Sequence, residues 1–399
     1  MAYKGVAVTG MGILSAAGMS PAENYAALLA GRSGISTIEN FETIHNRLPT
    51  GEIKMTNATL ADLLGLPLVN DYSRTAMLGV MAAKAALADA GLPDTADCRT
   101  GLVSASSVGG MDTDEKHHFD YFNNPALLRY VGSRDIGNVT HKIAEALGIT
   151  GFATTISTAC SSSANAVMLG ARLIRSGRLD RVVVGGTDAL SKFTVNGFRT
   201  LMILSDQLCQ PFDNDRTGLN LGEAAAYLVL ESDDMVQRRG CRVLARVAGY
   251  ANANDAFHQT ASSDNGEGAY LAMSQALAVA GLQPADISYI NVHGTATPNN
   301  DLTEGRALLR IYGDTPLPPF SSTKPFTGHT LAAAAAVEAV YSILALQNDV
   351  VFPNLNFATP MADLGTSPAI QLLHTRINHV LSNSFGFGGN CSTLIFSKV

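Results

Sequence analysis

Charge is sparse in this chain. Asp, Glu, Lys and Arg make up 15% of its 399 residues, and the 27 basic residues form no extended run. A net charge of −7 without a basic stripe argues against a nucleic-acid surface, so any acidic partner must find a local patch. Cysteine is sparse too. Cys98, Cys160, Cys209, Cys241 and Cys391 are odd in number, scattered, and free of CxxC or Cys/His metal spacing. That excludes a disulfide framework and predicts reduced thiols in a cytoplasmic protein, with no metal site. GxxxxGK[ST] and GxGxxG are both missing, which withdraws support from a nucleotide cofactor. Tyr3 to Gly10 carries one Lys and alternates like a strand, with no apolar signal core, so secretion is not expected. Ala146 to Ala171 has no charge, but Thr150, Thr154, Thr155 and the Ser161-Ser162-Ser163 run make it polar. It predicts interior, with Cys160 at its centre, rather than a membrane span.

What is abundant is apolar surface. Hydrophobic residues make up 46%, which excludes disorder as the dominant state. A chain of 399 residues is longer than the ~250–300 at which one hydrophobic core stops growing, so two packed halves are expected. The 37 glycines have no collagen-like period and mark turns and close backbone approaches.

Strand and helix signals alternate, which points to α/β layering. Val6 to Val8 reads as a strand, and Ala76 to Ala90 as a helix stopped by Gly91 and Pro93. Gly101 to Ser106 reads as a strand, Ser162 to Ser176 as a helix stopped by Gly177, and Val182 to Val184 as a buried strand. The second half repeats the plan. Ala86 to Pro93 matches Ala276 to Gln283 everywhere except at Asp89/Val279 and Pro93/Gln283, about half a chain later. Each match leads to a strand (Gly101–Ser106; Ile287–Val292), a Gly-containing loop and later a very apolar helix, the two helices beginning at Cys160 and His329. The break falls near Asp233 to Gly240, giving halves of 1–240 and 241–399. The charged, aromatic stretch 111–148 suggests a surface or lid insertion in the first.

Four segments carry chemistry. Cys160 lies where a strand-like run breaks into a helix beginning with Ser residues, so its thiol is placed at a helix N-terminus. There the free N–H groups and the dipole favour thiolate and can hold an oxyanion. A buried structural Cys is the plainer alternative. His293, in Asn-Val-His-Gly-Thr-Ala-Thr-Pro, follows a strand, and ligands collect at carboxyl ends of strands in α/β sheets. His329 opens an Ala-rich helix, where dipole and burial disfavour its cation and leave a neutral hydrogen-bond donor. Glu338 is the single charge in that apolar stretch, and Lys324 is its nearest candidate partner. Ser384 to Asn390 is a Gly-rich loop with two Phe residues, able to approach and wall a substrate.

In this order, Thr-Ala-Cys at Cys160, His-Gly-Thr-x-Thr-Pro from His293, Ser-Ser-Thr-Lys-x-x-x-Gly-His from Ser321 to His329 and Asn-Ser-Phe-Gly-Phe-Gly-Gly from Asn383 to Gly389 resemble one family. It is the β-ketoacyl-acyl carrier protein synthases, elongating condensing enzymes of the thiolase superfamily, and the likeness runs from Val6 to Phe396. It implies two duplicated βαβαβαββ halves in five αβαβα layers. It also implies a decarboxylative Claisen condensation by way of an acyl-Cys160 thioester. Cys160, His293 and His329 match the family's catalytic residues, the two histidines stabilising enolate charge. Backbone N–H groups of Cys160 and Phe387 match the oxyanion hole, Lys324 and Glu338 a pair that orders the site, and Thr295 and Thr297 residues that hold a phosphopantetheine arm. Val108, Phe198, Phe385, Gly386 and Phe387 fall where the family shapes or gates its acyl pocket. Implied partners are acyl carrier protein and a second subunit, either the same chain or a ketosynthase-like paralogue, with no resident cofactor.

Departures bear on the substrate rather than the reaction. Asn220 and Ala224 replace an apolar residue and Gly, Asn390-Cys391 replaces Thr-Asn or Asn-Asn, and 111–148 is short, which leaves fatty acid, polyketide and aryl-polyene-type products open. Alternatives are a thiolase, which needs a second catalytic Cys, and a non-catalytic chain-length partner subunit, which lacks the nucleophile. Arg74 and Arg199 are candidates for docking the acidic carrier protein.

Overall fold

The computed structural model describes residues 5–67, 69–92 and 99–399. Cys98, the stop signal Pro93 and the Tyr3–Lys4 start of the first strand lie outside the described residues. The strands of the first half are β1 (Val6–Ser15), β2 (Thr100–Ala105), β3 (Ala153–Ile156), β4 (Arg181–Asp188) and β5 (Ala224–Ser232). Those that follow are β6 (Ala245–Asn254), β7 (Tyr289–Asn291), β8 (Phe320–Ser321), β9 (Val350–Val351), β10 (Leu373–His374), β11 (His379–Gly386) and β12 (Asn390–Ser397). Apart from the small β9–β10 pair, they form one sheet in the order β3-β2-β4-β5-β1-β6-β12-β11-β7-β8. Read outward from the centre, β1, β5, β4, β2, β3 on one side correspond to β6, β12, β11, β7, β8 on the other. Each set thus has its third strand at the edge and its first at the middle, where Ala7 and Val8 of β1 pair antiparallel with Arg246 and Ala245 of β6.

Helices cover both faces of this sheet, which is why β1, β4 and β5 are buried along their whole length and read as continuous apolar runs. The helices Ser162–Arg175 and Ala334–Asn348 lie in the middle, in a cluster that takes residues from β1 and β5 and equally from β6, β7, β11 and β12. Arg74–Asp89 closes the first half on its outer face, and Glu267–Ala280 closes the second. Five layers result, α-β-α-β-α.

The matched Ala-rich segments have a packing reason. A Cβ at Gly10 of β1 would lie 2.3 Å from Ala86 O, and one at Gly249 of β6 would lie 2.3 Å from Ala276 O. In both halves an Ala-rich helix end therefore rests directly on a strand glycine, a contact that no larger pair permits.

Three sequence expectations change. The apolar helix does not open at His329: a 3-10 turn, Leu331–Ala333, intervenes and the α-helix begins at Ala334. Leu331 to Asn348 is apolar and long enough to cross a membrane, but 89% of this stretch is buried, as befits a core helix. The charge-free segment 146–171 is not interior throughout: Leu147 and Ile149 are buried, but Gly151, Phe152 and Ala153 are exposed where the chain enters the edge strand β3, and most of the segment is buried only from Cys160 onward. In 111–148, Phe119 and Phe122 are exposed as expected of a surface insertion. However, Val139 and Ile143 of the helix Ile136–Ala146 are buried in the first-half core. Apolar faces of that helix pack under the sheet, so only part of the segment is superficial.

Candidate active site

The two central helices and the carboxyl ends of β7 and β11 converge on a cavity of about 250 Å3, lined by Cys160, His293, His329, Phe385, Gly386 and Phe387 among others. Cys160 reaches it through a strained turn. After β3 the chain passes Ala159 at φ 52°, a left-handed conformation that costs a non-Gly residue ~1–2 kcal/mol and needs outside support. The serines supply it, though not as helix caps: Ser161 stands at the N-cap without a capping bond. It donates instead to Thr158 O (2.8 Å) and Asn390 Oδ1 (3.0 Å). Ser162 Oγ takes the Thr158 N–H at 2.8 Å and donates to Ala159 O at 2.5 Å.

On the far side, β11 must come close. A Cβ at Gly386 would lie 2.7 Å from Thr158 O and 3.1 Å from Cys160 N, so only glycine lets the Phe385-Gly386-Phe387 segment meet the nucleophile turn. The backbone N–H groups of Phe387 and Cys160 act on the Cys160 sulfur in favour of its thiolate. Together with Lys324 they lower its pKa, but burial dominates and pushes the thiol up to about 12. The resting group is a neutral thiol, which corrects the expectation of a helix-stabilised thiolate.

Both histidines are neutral as well, and their tautomers are set. His293 is held well below its usual pKa by burial first and then by the Lys324 cation. Its Nδ1 lies 3.3 Å from Lys324 Nζ, a donor, which leaves the ring proton on Nε2. His329 is lowered to about 3, by burial and then Lys324. Its Nδ1 accepts the Leu331 N–H at 3.1 Å, and its proton too is on Nε2. The rings are 5.5 Å apart and nearly perpendicular. His329 is thus the neutral donor expected, although burial rather than a helix end makes it so.

Lys324 and Glu338 meet as anticipated, at 2.5 Å, both buried. Lys324 also donates to His293 O, and Ser384 donates to Glu338 at 3.1 Å. Burial pushes Glu338 up while Lys324 and Ser384 oppose it. Thr295 and Thr297 line the mouth with their hydroxyls 2.9 Å apart. Phe198 stacks on Phe387 with ring centres 6.1 Å apart, so both belong to one wall. Val108 does not line the cavity; it packs behind, with Phe198 and Ile203 against an apolar cluster that includes Leu219 and Leu331.

One expected placement fails. Arg74 is buried and held bidentately by Glu223 at 2.6 and 2.9 Å, so it presents no docking charge. Arg199 is half-buried at the surface and paired with Asp206 at 3.0 Å. Asn220 anchors the neighbouring loop, accepting from Cys209 N at 2.7 Å, while its own carbonyl takes the His329 N–H at 2.7 Å. Cys391 is buried on β12 and does not line the cavity, so among the described residues Cys160 is the one thiol that does.

Residues that escaped the sequence reading are carboxylates acting through backbone. Glu304, on the helix Pro298–Tyr312, accepts the N–H groups of His293 (2.8 Å) and Gly294 (2.9 Å) and the Asn383 amide (3.1 Å), and burial raises it to about 7. Asp301, one turn earlier, accepts from Ala296 N and Phe212 N. Asp188 ends β4 beside the site. A charged residue closing a buried strand was the available signal for it.

Comparison with known proteins agrees with this arrangement. Residues 4–235 match the model of the beta-ketoacyl synthase N-terminal domain, and residues 244–358 that of the C-terminal domain. A 3-oxoacyl-[acyl-carrier-protein] synthase 2 of Vibrio cholerae serotype O1 is 33% identical, with 100% of both chains covered. Among solved structures, the ishigamide ketosynthase/chain length factor superposes with a TM-score of 0.92 at 30% identity over 100% of both chains. A type II PKS ketosynthase bound to a hexaketide and in complex with its acyl-carrier protein gives 0.88 at 26% identity, again over 100% of both. With its fold layered as in these proteins and both family models matched in sequence order, the chain belongs to the β-ketoacyl synthase family.

Proposed function

We propose that the chain is a catalytic β-ketoacyl-acyl carrier protein synthase, extending an acyl chain in fatty acid or polyketide-type biosynthesis. The observation that carries this reading is a thiol and two Nε2–H donors lining one cavity. In the first half-reaction Cys160 sulfur attacks the thioester carbonyl of an acyl carrier protein. The oxyanion is held by the N–H groups of Cys160 and Phe387, and the carrier thiol leaves with the proton that Cys160 gives up. In the second, malonyl-carrier protein loses CO2, and the electron pair moves onto the thioester oxygen, where the Nε2–H groups of His293 and His329 stabilise the enolate. Its α-carbon then attacks the acyl-Cys160 carbonyl, a carbon–carbon bond forms, and the departing Cys160 thiolate takes up a proton from water to return to the resting thiol.

Neutral histidines suit this work because they donate without needing a proton from solvent. Lys324 and Glu338 orient them, and Thr295 and Thr297 hold the phosphopantetheine arm. Every step is assigned to these side chains and needs no metal or nucleotide. A reducing compartment such as the cytoplasm keeps Cys160 as a thiol. The pairing partner is a second copy of this chain or a ketosynthase-like paralogue, and the exposed edge strand β3 supports that choice. A chain-length partner subunit without activity is the other reading in this family, and the presence of Cys160 in the cavity weighs against it.

The test is loading and turnover. Incubation with acyl-acyl carrier protein should add the acyl mass to Cys160, and Cys160→Ala should abolish both the adduct and β-ketoacyl product. Product formation by Cys160→Ala at the wild-type rate would sink the assignment.

A further inference from the structure

Asp188 has no role in the chemistry described so far, yet its surroundings are built around it. It is the last residue of β4 and is fully buried. Its Oδ1 accepts Ser106 Oγ–H at 2.7 Å, Ser107 N–H at 3.0 Å and Val108 N–H at 3.2 Å. Its Oδ2 accepts Ser107 Oγ–H at 2.6 Å, Ser107 N–H at 3.1 Å and Ala332 N–H at 2.9 Å. The N–H groups of Ser107, Val108 and Ala332 can only donate and between them reach both oxygens, a set of contacts that favours the carboxylate form. An amide would turn an NH2 group against one cluster of N–H groups in either orientation. Burial raises the pKa of Asp188 and these hydrogen bonds oppose the rise.

The two sides of this clamp lead to different parts of the site. Ser106–Val108 follows β2 and carries Val108, which packs behind the Phe198 wall of the cavity. Ala332 belongs to the 3-10 turn Leu331–Ala333. The preceding residue, Leu331, sits at φ 54° and gives its N–H to His329 Nδ1. A non-Gly residue in that conformation relaxes unless its neighbours hold it. Ala332 N–H on Asp188 is one of the bonds that hold it.

We propose that Asp188 is a positioning residue that couples the wall behind the acyl cavity to the orientation and tautomer of His329. This rests on the condensing-enzyme reading above. An acyl chain that presses on the Phe198 wall pushes on Val108 behind it and so moves the Ser106–Val108 turn against a carboxylate shared with the His329 turn, which links chain-length preference and malonyl decarboxylation through one side chain. The same charge also acts on Cys160 through space and helps to keep its thiol protonated.

The experiment compares Asp188→Asn and Ser107→Ala with wild type. In Asp188→Asn, kcat for malonyl-carrier protein decarboxylation should fall ~100-fold with KM little changed, the pattern of a lost transition-state interaction. Cys160 should be alkylated faster at a given pH, read at that cysteine by mass. Ser107→Ala keeps the charge but loses one donor. It should lower decarboxylation several-fold and shift the lengths of acyl chain loaded, with Cys160 alkylation unchanged. A merely structural role would lower thermal stability while leaving the rate per folded molecule and the alkylation profile as in wild type, and that result overturns the proposal. If Asp188→Asn does not fold, Ser107→Ala decides: wild-type decarboxylation and an unshifted length profile overturn it. The alkylation arm needs no condensation. A wild-type protein that fails to condense therefore faults the enzyme reading, whereas an unshifted alkylation profile in Asp188→Asn faults the role of Asp188.

Discussion

Protonation states at the level of single residues tie the site to stability. His329 is lowered from 6.5 to about 3 because burial and Lys324 penalise its cation. A base whose folded pKa is depressed contributes its full stability above the unfolded value, and that contribution drains away as pH falls. Between pH ~7.5 and ~5.5 the wild type should therefore lose ~1.4 kcal/mol that His329→Asn does not lose, because the amide has no proton to gain. Glu304 and the other buried acids titrate in both proteins and cancel in the comparison. Denaturant unfolding of the two at both pH values measures the difference; equal losses would place a charged imidazole in the folded site. Cys160, His293, His329 and the Lys324–Glu338 pair were legible in the sequence because their chemistry belongs to the side chain and Gly or Ala neighbours betray a close approach. Asp188 and Glu304 were not, since they act by accepting backbone N–H groups. Ala332, which Asp188 holds, is 144 residues away, and a backbone donor leaves no mark on residue type.

Elements place these residues, and the one nearest His329 is a crossing of three glycine segments. A Cβ at Gly51 would lie 1.8 Å from Thr327 O, one at Gly222 would lie 2.1 Å from the same oxygen, and one at Gly328 would lie 2.5 Å from Leu221 O. His329 hangs from this crossing through Asn220 O and Gly222 N. Gly222→Ala should thus push the Thr327–His329 segment away, costing ~1–3 kcal/mol of stability by overpacking and lowering decarboxylation more than Cys160 loading. Gly177→Ala is the control: it has φ 70° but nothing within 4 Å of the added Cβ. It should cost only the ~1–2 kcal/mol of left-handed strain, with both half-reactions intact. Similar activity losses in the two would mean that global stability, not the crossing, governs His329. Stop signals were readable at this scale: Gly91 and Gly177 follow their helices at positive φ as expected. The start of the last core helix was misread because its run of alanines is equally compatible with the 3-10 turn that intervenes. The bridge from His329 to Leu221, over 100 positions earlier in the chain, sets where the α-helix begins.

For the whole molecule, the duplicated strand order leaves one edge of the sheet, β3, next to the nucleophile turn. Phe152 at its start is 40% exposed, and Ala153 and Ser157 are exposed beside it. A row of open backbone groups with apolar side chains is a template for pairing, and proteins seldom leave one uncovered. Hydrophobic run and polar interruption look alike whether a strand is central or terminal, so the sequence placed this segment inside. Pairing with a second copy about a two-fold axis would cover both edges at once, with each residue near the axis meeting its own counterpart. Light scattering should accordingly give twice the chain mass, and Phe152→Glu, which sets like charges against each other, should give the monomer. The turn from Ser157 to Cys160 leads directly from this edge to the thiol, and its strained Ala159 depends on support. Loss of pairing should therefore slow acyl loading of Cys160 by ~10-fold or more, since small misplacements of a nucleophile are costly. A monomeric wild type would overturn self-pairing, and a monomeric Phe152→Glu that loads at the full rate would separate the edge from the nucleophile turn.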